Sequence, residues 1–325
     1  MSLKIDGKWV WDFWFAQEGA TTHLFYLQAP NNLAEERMRH WHTSIGHARS
    51  QDLINWTVVQ DALAPSPPES GAWDDFATWT GSIIAHEGVW YMFYTGSKRS
   101  EKGLIQRIGL ATSDDLYNWT KDERSPLLTA DPRWYEQLDA GLWHDQAWRD
   151  PCVFRCSGRF HAYITARGLE GEPSGRGVIG HAVSDDLINW ECLPPVAHPG
   201  EFGHLEVPQL VQIEDRWYLF FCVGYRQFSK KRRARPGTAR VIGTHYLASS
   251  DPLGPFTMID NEFLLADEIG SHYAGKALCD PHRGWLLMTS RSWSRDGGFT
   301  GQIADPIPLT ILDDGRLRAE TVRSI

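Results

Sequence analysis

Short apolar and aromatic runs punctuate this chain, and polar turns rather than long amphipathic helices separate them. His23-Leu24-Phe25-Tyr26-Leu27, Gly81-Ser82-Ile83-Ile84, Trp90-Tyr91-Met92-Phe93-Tyr94, Ala162-Tyr163-Ile164-Thr165 and Trp217-Tyr218-Leu219-Phe220-Phe221 all read as strands. Turns such as His86-Glu87-Gly88 and Glu214-Asp215-Arg216 join neighbouring runs into hairpins. The pattern predicts an all-β chain with almost no helix.

A phrase recurs on top of that pattern. It reads Ser50-Gln51-Asp52-Leu53-Ile54-Asn55-Trp56, Ser113-Asp114-Asp115-Leu116-Tyr117-Asn118-Trp119 and Ser184-Asp185-Asp186-Leu187-Ile188-Asn189-Trp190. A weaker copy is Ser249-Ser250-Asp251-Pro252-Leu253-Gly254-Pro255-Phe256. The copies start about 65 residues apart, a spacing that suits a four-stranded blade with generous loops. Over 325 residues this predicts a five-bladed β-propeller, one domain spanning residues 1–325, with an axial funnel as its natural pocket. Ser-x-Asp supplies oxygens for a turn, and the Leu and Trp plug the core between blades. The repeat speaks for fold rather than chemistry.

Composition narrows the partners. Apolar residues make up 42% of the chain, but no run is long enough for a membrane span. A net charge of −9 argues against nucleic acid. The one basic cluster, Lys230-Lys231-Arg232-Arg233-Ala234-Arg235, reads as a solvated loop tip. Met1 to Trp11 carries no signal-peptide pattern, and five cysteines without zinc spacing suit a reduced, cytoplasmic chain. No metal or organic cofactor is expected, and no oligomeric state is set. Sixteen tryptophans are many; Trp11, Trp14, Trp41, Trp79 and Trp148 stand beside polar or Gly-rich motifs, where flat faces suit sugar rings.

Three acids stand in unusual surroundings: Asp12 among tryptophans, Asp150 in Trp148-Arg149-Asp150-Pro151, and Glu206 in His204-Leu205-Glu206-Val207-Pro208. Each falls in a different repeat near a strand start, so the funnel is where they meet. Carboxylates crowded in an apolar funnel cannot all ionise easily, and that separates an acid from a base. Glycosidic cleavage needs such a pair. Taken singly, each acid is more often a turn former; together they are the candidate catalytic set.

These segments resemble a family. Trp11-Asp12-Phe13-Trp14 is similar to the Trp-Asp-x-Trp nucleophile segment of levansucrases, and Arg149-Asp150-Pro151 to the Arg-Asp-Pro motif of invertases and levansucrases. Leu205-Glu206-Val207-Pro208 resembles the invertase Glu-Cys-Pro motif. Gly46-His47-Ala48-Arg49-Ser50, Trp79-Thr80-Gly81-Ser82 and Ser271-His272-Tyr273-Ala274 resemble further invertase stretches, in the same order. The resemblance is to the five-bladed propellers of glycoside hydrolase families 32 and 68, and more remotely 43, without the C-terminal β-sandwich common in family 32. It implies a retaining β-fructofuranosidase-like enzyme with Asp12 as nucleophile, Glu206 as acid/base and Asp150 as transition-state stabiliser. Substrate contacts would come from Trp14, Gln28, Trp79, Ser82, Arg149, His272 and Tyr273. The partner would be a small oligosaccharide or glycoside. Leu27 stands where the family has a Gln, with Gln28 one place on.

Two rival readings use the same residues. One is an inverting family 43-type arabinosidase or xylosidase with Asp12 as base for a water. The other is a propeller that binds carbohydrate without turnover. As acid, Glu206 is expected above the usual carboxylate range, raised by Asp12, Asp150 and burial.

Overall fold

The computed structural model describes residues 2–320. Blade 1 comprises β1 (Lys8–Glu18), β2 (Thr21–Pro30), β3 (Ser44–Ser50) and β4 (Thr57–Val58). Blade 2 comprises β5 (Ala77–His86), β6 (Val89–Ser97), β7 (Gln106–Ser113) and β8 (Thr120–Lys121). Blade 3 comprises β9 (Trp148–Cys156), β10 (Arg159–Arg167), β11 (Gly177–Ser184) and β12 (Trp190–Ala197). Blade 4 comprises β13 (Glu206–Ile213), β14 (Arg216–Gly224), β15 (Ile242–Ser249) and β16 (Leu265–Asp267). Blade 5 comprises β17 (His272–Asp280), β18 (Gly284–Trp293), β19 (Phe299–Ile303), β20 (Ile307–Ile311) and β21 (Leu317–Ala319), with β19 beside β18 off the main path.

All pairings within the blades are antiparallel, and the first strands β1, β5, β9, β13 and β17 pack side by side around the axis. The ring closes where Leu3 and Ile303 exchange backbone hydrogen bonds of 2.9 and 3.1 Å, tying the start of the chain to blade 5. This is the expected five-bladed β-propeller. The α-helix is a single turn, Lys230–Arg233, among the described residues. No helix there is long and apolar enough to cross a membrane.

The repeated phrase forms the same turn three times. In the first copy the Ser50 hydroxyl accepts from the Asp52 and Leu53 amides, and Asp52 accepts from the Ile54 and Asn55 amides. These donors hold the carboxyls of Asp52, Asp115 and Asp186 well below their usual range, the backbone amides of the three asparagines contributing most. The turn drives Leu53, Leu116 and Leu187 into the left-handed region, at φ 61°, 66° and 66°. The apolar plugs then reach the preceding blade. Trp119 meets Phe25 edge-on at 5.7 Å, Trp190 meets Phe93 at 5.4 Å, and Phe256 of the weak copy meets Tyr163 at 6.0 Å. Trp56 closes the cycle against a cluster that includes Leu286 and Met288 of blade 5.

Leu187 is fully buried. Leu187→Ala keeps the backbone penalty and removes only packing, so it is expected to cost about 3 kcal/mol in denaturant unfolding. A loss under about 1 kcal/mol would remove the plug from the account of stability.

The basic cluster departs from expectation. Arg232 is buried, not solvated: its guanidinium lies 4.9 and 5.1 Å from the Phe202 and Phe228 rings and donates to Asn261 O at 2.9 Å. Only its neighbours reach water. A short run of cations hides which one faces inward, because turn phase decides that.

Candidate active site

Each of the five innermost strands breaks its register. The breaks fall between Trp11 and Phe13, between Trp79 and Gly81, opposite Tyr163 and Thr165 at Asp150, between Glu206 and Gln209, and between Tyr273 and Lys276. Asp12, Asp150, Val207 and Ala274 sit at positive φ there, at 24°, 59°, 47° and 52°. A β-bulge re-aims the side chain it carries, and non-glycine residues at positive φ mark functional sites often enough to be worth following. In blade 2 the break leaves Thr80 unpaired, and Gly81 beside it has no room for a Cβ, which would meet Phe93 O at 2.0 Å.

The bulges line a cavity of 1310 Å³ whose wall includes Asp12, Asp150 and Glu206 together with Trp11, Trp41, Trp79, Arg149 and Tyr273. The three carboxylates are held very differently. Asp150 is buried and accepts from the Thr80 hydroxyl, from the Val207 amide at 3.1 Å and from the Thr165 hydroxyl at 2.9 Å. Its own amide donates to Thr95 Oγ1 at 2.9 Å. A carboxylate with that many donors is fixed in place.

Glu206 accepts from Arg149 at 2.7 Å on Oε1 and from the Tyr273 hydroxyl at 2.6 Å on Oε2, with His204 Nδ1 3.3 Å from Oε1. Burial pushes its carboxyl up, but the His204 hydrogen bond, Arg149 and Tyr273 outweigh burial and hold it well below the usual range. Asp12 has the opposite balance. Burial, then the charges of Asp150 and Glu206, push it up to about 7 against the pull of Arg39 and Lys276. The expected raised group is therefore Asp12 and not Glu206. The reason is donor count: three groups converge on Glu206.

Several residues expected at the sugar lie elsewhere. Trp14 stacks on Phe25, ring centroids 6.3 Å apart, inside the core of blade 1. Gln28 is buried on the face opposite Leu27, accepting from Lys8 Nζ at 3.0 Å and donating to Ser44 at 3.1 Å; Leu27 takes the wall. The two-residue period of a strand forces that outcome. Ser82 accepts the Val153 amide at 2.9 Å and so joins blades 2 and 3. His272 Nδ1 lies 2.7 Å from Thr289 Oγ1, off the wall. Trp148 is fully buried in the core. Trp79, Arg149 and Tyr273 do face the cavity.

Other groups escaped the sequence reading. Arg39 is part of the wall, with its guanidinium 3.8 Å from the Phe299 ring and 5.6 Å from Trp11. It belongs to the short 3₁₀ helix Glu36–Trp41, which also presents His40, a ring that burial pushes down to about 3. Lys276 is a buried cation donating to Val207 O and Pro208 O at 2.8 and 3.0 Å, so it braces the bulge that carries Glu206. A lysine inside Tyr273-Ala274-Gly275-Lys276-Ala277-Leu278 was the available signal. His144, Asp145 and His204 bring nitrogen and oxygen atoms within 4.8 Å of one another, but the Trp143 indole donates to His204 Nε2 at 2.7 Å and occupies that lone pair.

Fold and site together define the class: a five-bladed propeller carrying a carboxylate set at its axial cavity. Residues 15–298 match the glycosyl hydrolases family 32 N-terminal domain, and the chain belongs to that family. Asp12 lies just ahead of the matched stretch. An insoluble β-fructofuranosidase isoenzyme of Arabidopsis thaliana is 26% identical over 286 residues, 82% of this chain and 48% of that protein. The sucrose-6-phosphate hydrolase of Bacillus subtilis is 29% identical over 177 residues, 52% of this chain and 33% of that protein. The chain thus spans less than half the length of these curated relatives. Among solved structures, the inulosucrase of Halalkalicoccus jeotgali bound to kestose superposes with a TM-score of 0.76 at 21% identity, covering 97% of this chain and 87% of that one. At that identity the likeness speaks for the fold.

Proposed function

We propose that this domain hydrolyses small β-fructofuranosides with retention of configuration. The observation that carries the reading is the three carboxylates on one cavity wall, each in a different hydrogen-bonding environment. Curated relatives named β-fructofuranosidase and sucrose-6-phosphate hydrolase support the choice of sugar. A cavity of 1310 Å³ exceeds the usual range of about 300–1,000 Å³ and has room for more than one ring.

In the first step an Asp12 carboxylate oxygen attacks the anomeric carbon while the bond to the leaving oxygen breaks, and Glu206 gives that oxygen its proton. In the second step Glu206 takes a proton from water, whose oxygen displaces Asp12 from the same carbon. Asp150, fixed by three hydrogen-bond donors with the Arg149 guanidinium 3.7 Å away, holds ring hydroxyls as charge develops. Trp11, Trp41 and Trp79 offer flat faces to the apolar side of the sugar.

Burial and its neighbours make Asp12 the stronger proton holder of the pair, and the donors around Glu206 favour its ionised form. Sugar binding reverses both preferences: hydroxyl donors favour ionised Asp12, and the leaving oxygen, an acceptor, favours protonated Glu206. The competent free enzyme therefore carries one proton shared by the pair, and the limbs of its pH profile belong to the pair. Loss of that proton sets the alkaline limb. kcat/KM on sucrose is expected to fall about tenfold per pH unit above about pH 7, with the acid limb below the usual carboxylate range. NMR of the first-formed product on sucrose and on kestose tests the stereochemistry. A β-anomeric fructose as first product supports double displacement, and the α-anomer would establish inversion with Asp12 as base.

A further inference from the structure

We infer that Lys276 is a positioning residue for the carboxylate set: its ammonium reaches from blade 5, ties the bulge of blade 4 that joins Glu206 to Asp150, and sets a cation against Asp12. This role deepens the proposed reaction and rests on it for the parts the three acids play. Glu206 pairs with Cys222 and Gln209 with Phe220, so Val207 and Pro208 drop out of the ladder between them. Both are buried, and a buried backbone group without a partner is costly. Every such group here is met. Proline has no N–H to place. The Val207 N–H donates to Asp150 Oδ2 at 3.1 Å, and both carbonyl oxygens accept from Lys276 Nζ, at 2.8 and 3.0 Å. Val207, at φ 47°, is therefore held by Asp150 through its amide and by Lys276 through its carbonyl.

β17 grips this segment along its length. The Tyr273 hydroxyl holds the Glu206 carboxyl, Lys276 holds the backbone after it, and Ala277 exchanges two bonds with the Gln209 side-chain amide at 2.7 and 2.8 Å. Residues three places apart on a regular strand point to opposite faces; the register break between Tyr273 and Lys276 lets both reach blade 4. Two carbonyls need only a neutral donor, and a charge at 7% exposure is costly. The neighbours account for the charge. The charged and titratable groups facing Lys276 are Asp12 of β1, Asp150 and Cys152 of β9 and Cys222 of β14. Asp12 in turn faces Asp150 and Glu206 as like charges, and Arg39 and Lys276 as opposite ones. Arg39 stands on the cavity wall, whereas Lys276 is buried behind it. Lys276 thus favours the ionised Asp12 that attack requires without touching the sugar.

Two measurements test this. The first is ¹³C NMR of the aspartate carboxyls in the whole chain, with Asp12 assigned by the signal lost in Asp12→Asn. Lys276→Met removes both charge and donors. Lys276→Gln removes the charge and keeps an amide for the carbonyls, so it carries the test if the methionine variant does not fold. In both variants the Asp12 midpoint is expected about one pH unit above that of the wild type, because the protonated acid loses an opposing cation. An unmoved midpoint would overturn the inference whether or not the chain hydrolyses fructosides. The second is kcat and KM on sucrose across pH. Each variant is expected to lose about 30-fold in kcat at pH 6 with KM within about threefold, and its alkaline limb is expected to rise by about one pH unit. A limb at the wild-type position, or a loss confined to KM, would reduce Lys276 to packing and overturn the inference.

Discussion

Asp12→Asn is expected to abolish turnover by at least about 10⁴-fold and, at the same time, to make the folded chain more stable at pH 8. The two effects share one cause. Asp12 is pushed up to about 7 from an ordinary 3.8, so the fold prefers the protonated acid. Between those values the native state binds a proton that the unfolded chain has released, and stability falls as pH rises. The cost of the charge is absent near pH 4 and complete at pH 8. The full shift corresponds to about 4 kcal/mol at most, and cavity water around a partly exposed carboxyl reduces it to about 2 kcal/mol. The asparagine carries no charge at either pH. Urea unfolding at pH 4 and pH 8 measures the difference between variant and wild type. An advantage that is the same at both pH values, or none at pH 8, would show that Asp12 is not the strained charge of this site.

Glu206→Gln is expected to lower kcat/KM by about 10³-fold on sucrose, whose leaving group needs a proton, but only about tenfold on an aryl fructofuranoside, whose leaving group does not. The geometry favours a folded variant. A glutamine oxygen can accept from Arg149, and its amide can donate to the Tyr273 hydroxyl at the other lobe. The split between the two substrates therefore reads proton donation rather than collapse of the wall. Equal losses on both would remove Glu206 from the acid role and leave it as an electrostatic anchor for Arg149.

How far the carboxylate set was legible in the sequence follows from the strand bulges. Asp12, Asp150 and Glu206 were found by motif, and the structure brings them to one wall. Ser82 and Thr80 stand in one motif, yet only Thr80, at the bulge, bonds Asp150, while Ser82 fastens blade 3. A bulge shifts which neighbour points to the axis, and no alternation pattern in the sequence marks where it falls. Trp14 was misplaced for the same reason: two residues beyond Asp12 but past the bulge, its ring turns into the blade core.

What the sequence determined by itself is what recurs locally: the Ser-x-Asp-Leu-x-x-Trp turn, whose hydrogen bonds lie within a few residues, and hence the five-blade count. The tertiary structure alone decided the charges. Which acid keeps a proton depends on donors that arrive from other blades. Arg149 and Tyr273 reach Glu206 from blades 3 and 5, whereas Asp12 meets burial and two like charges. Burial and Coulomb terms act through space over a few ångströms, so separations of 57 and 67 residues along the chain carry no trace of them.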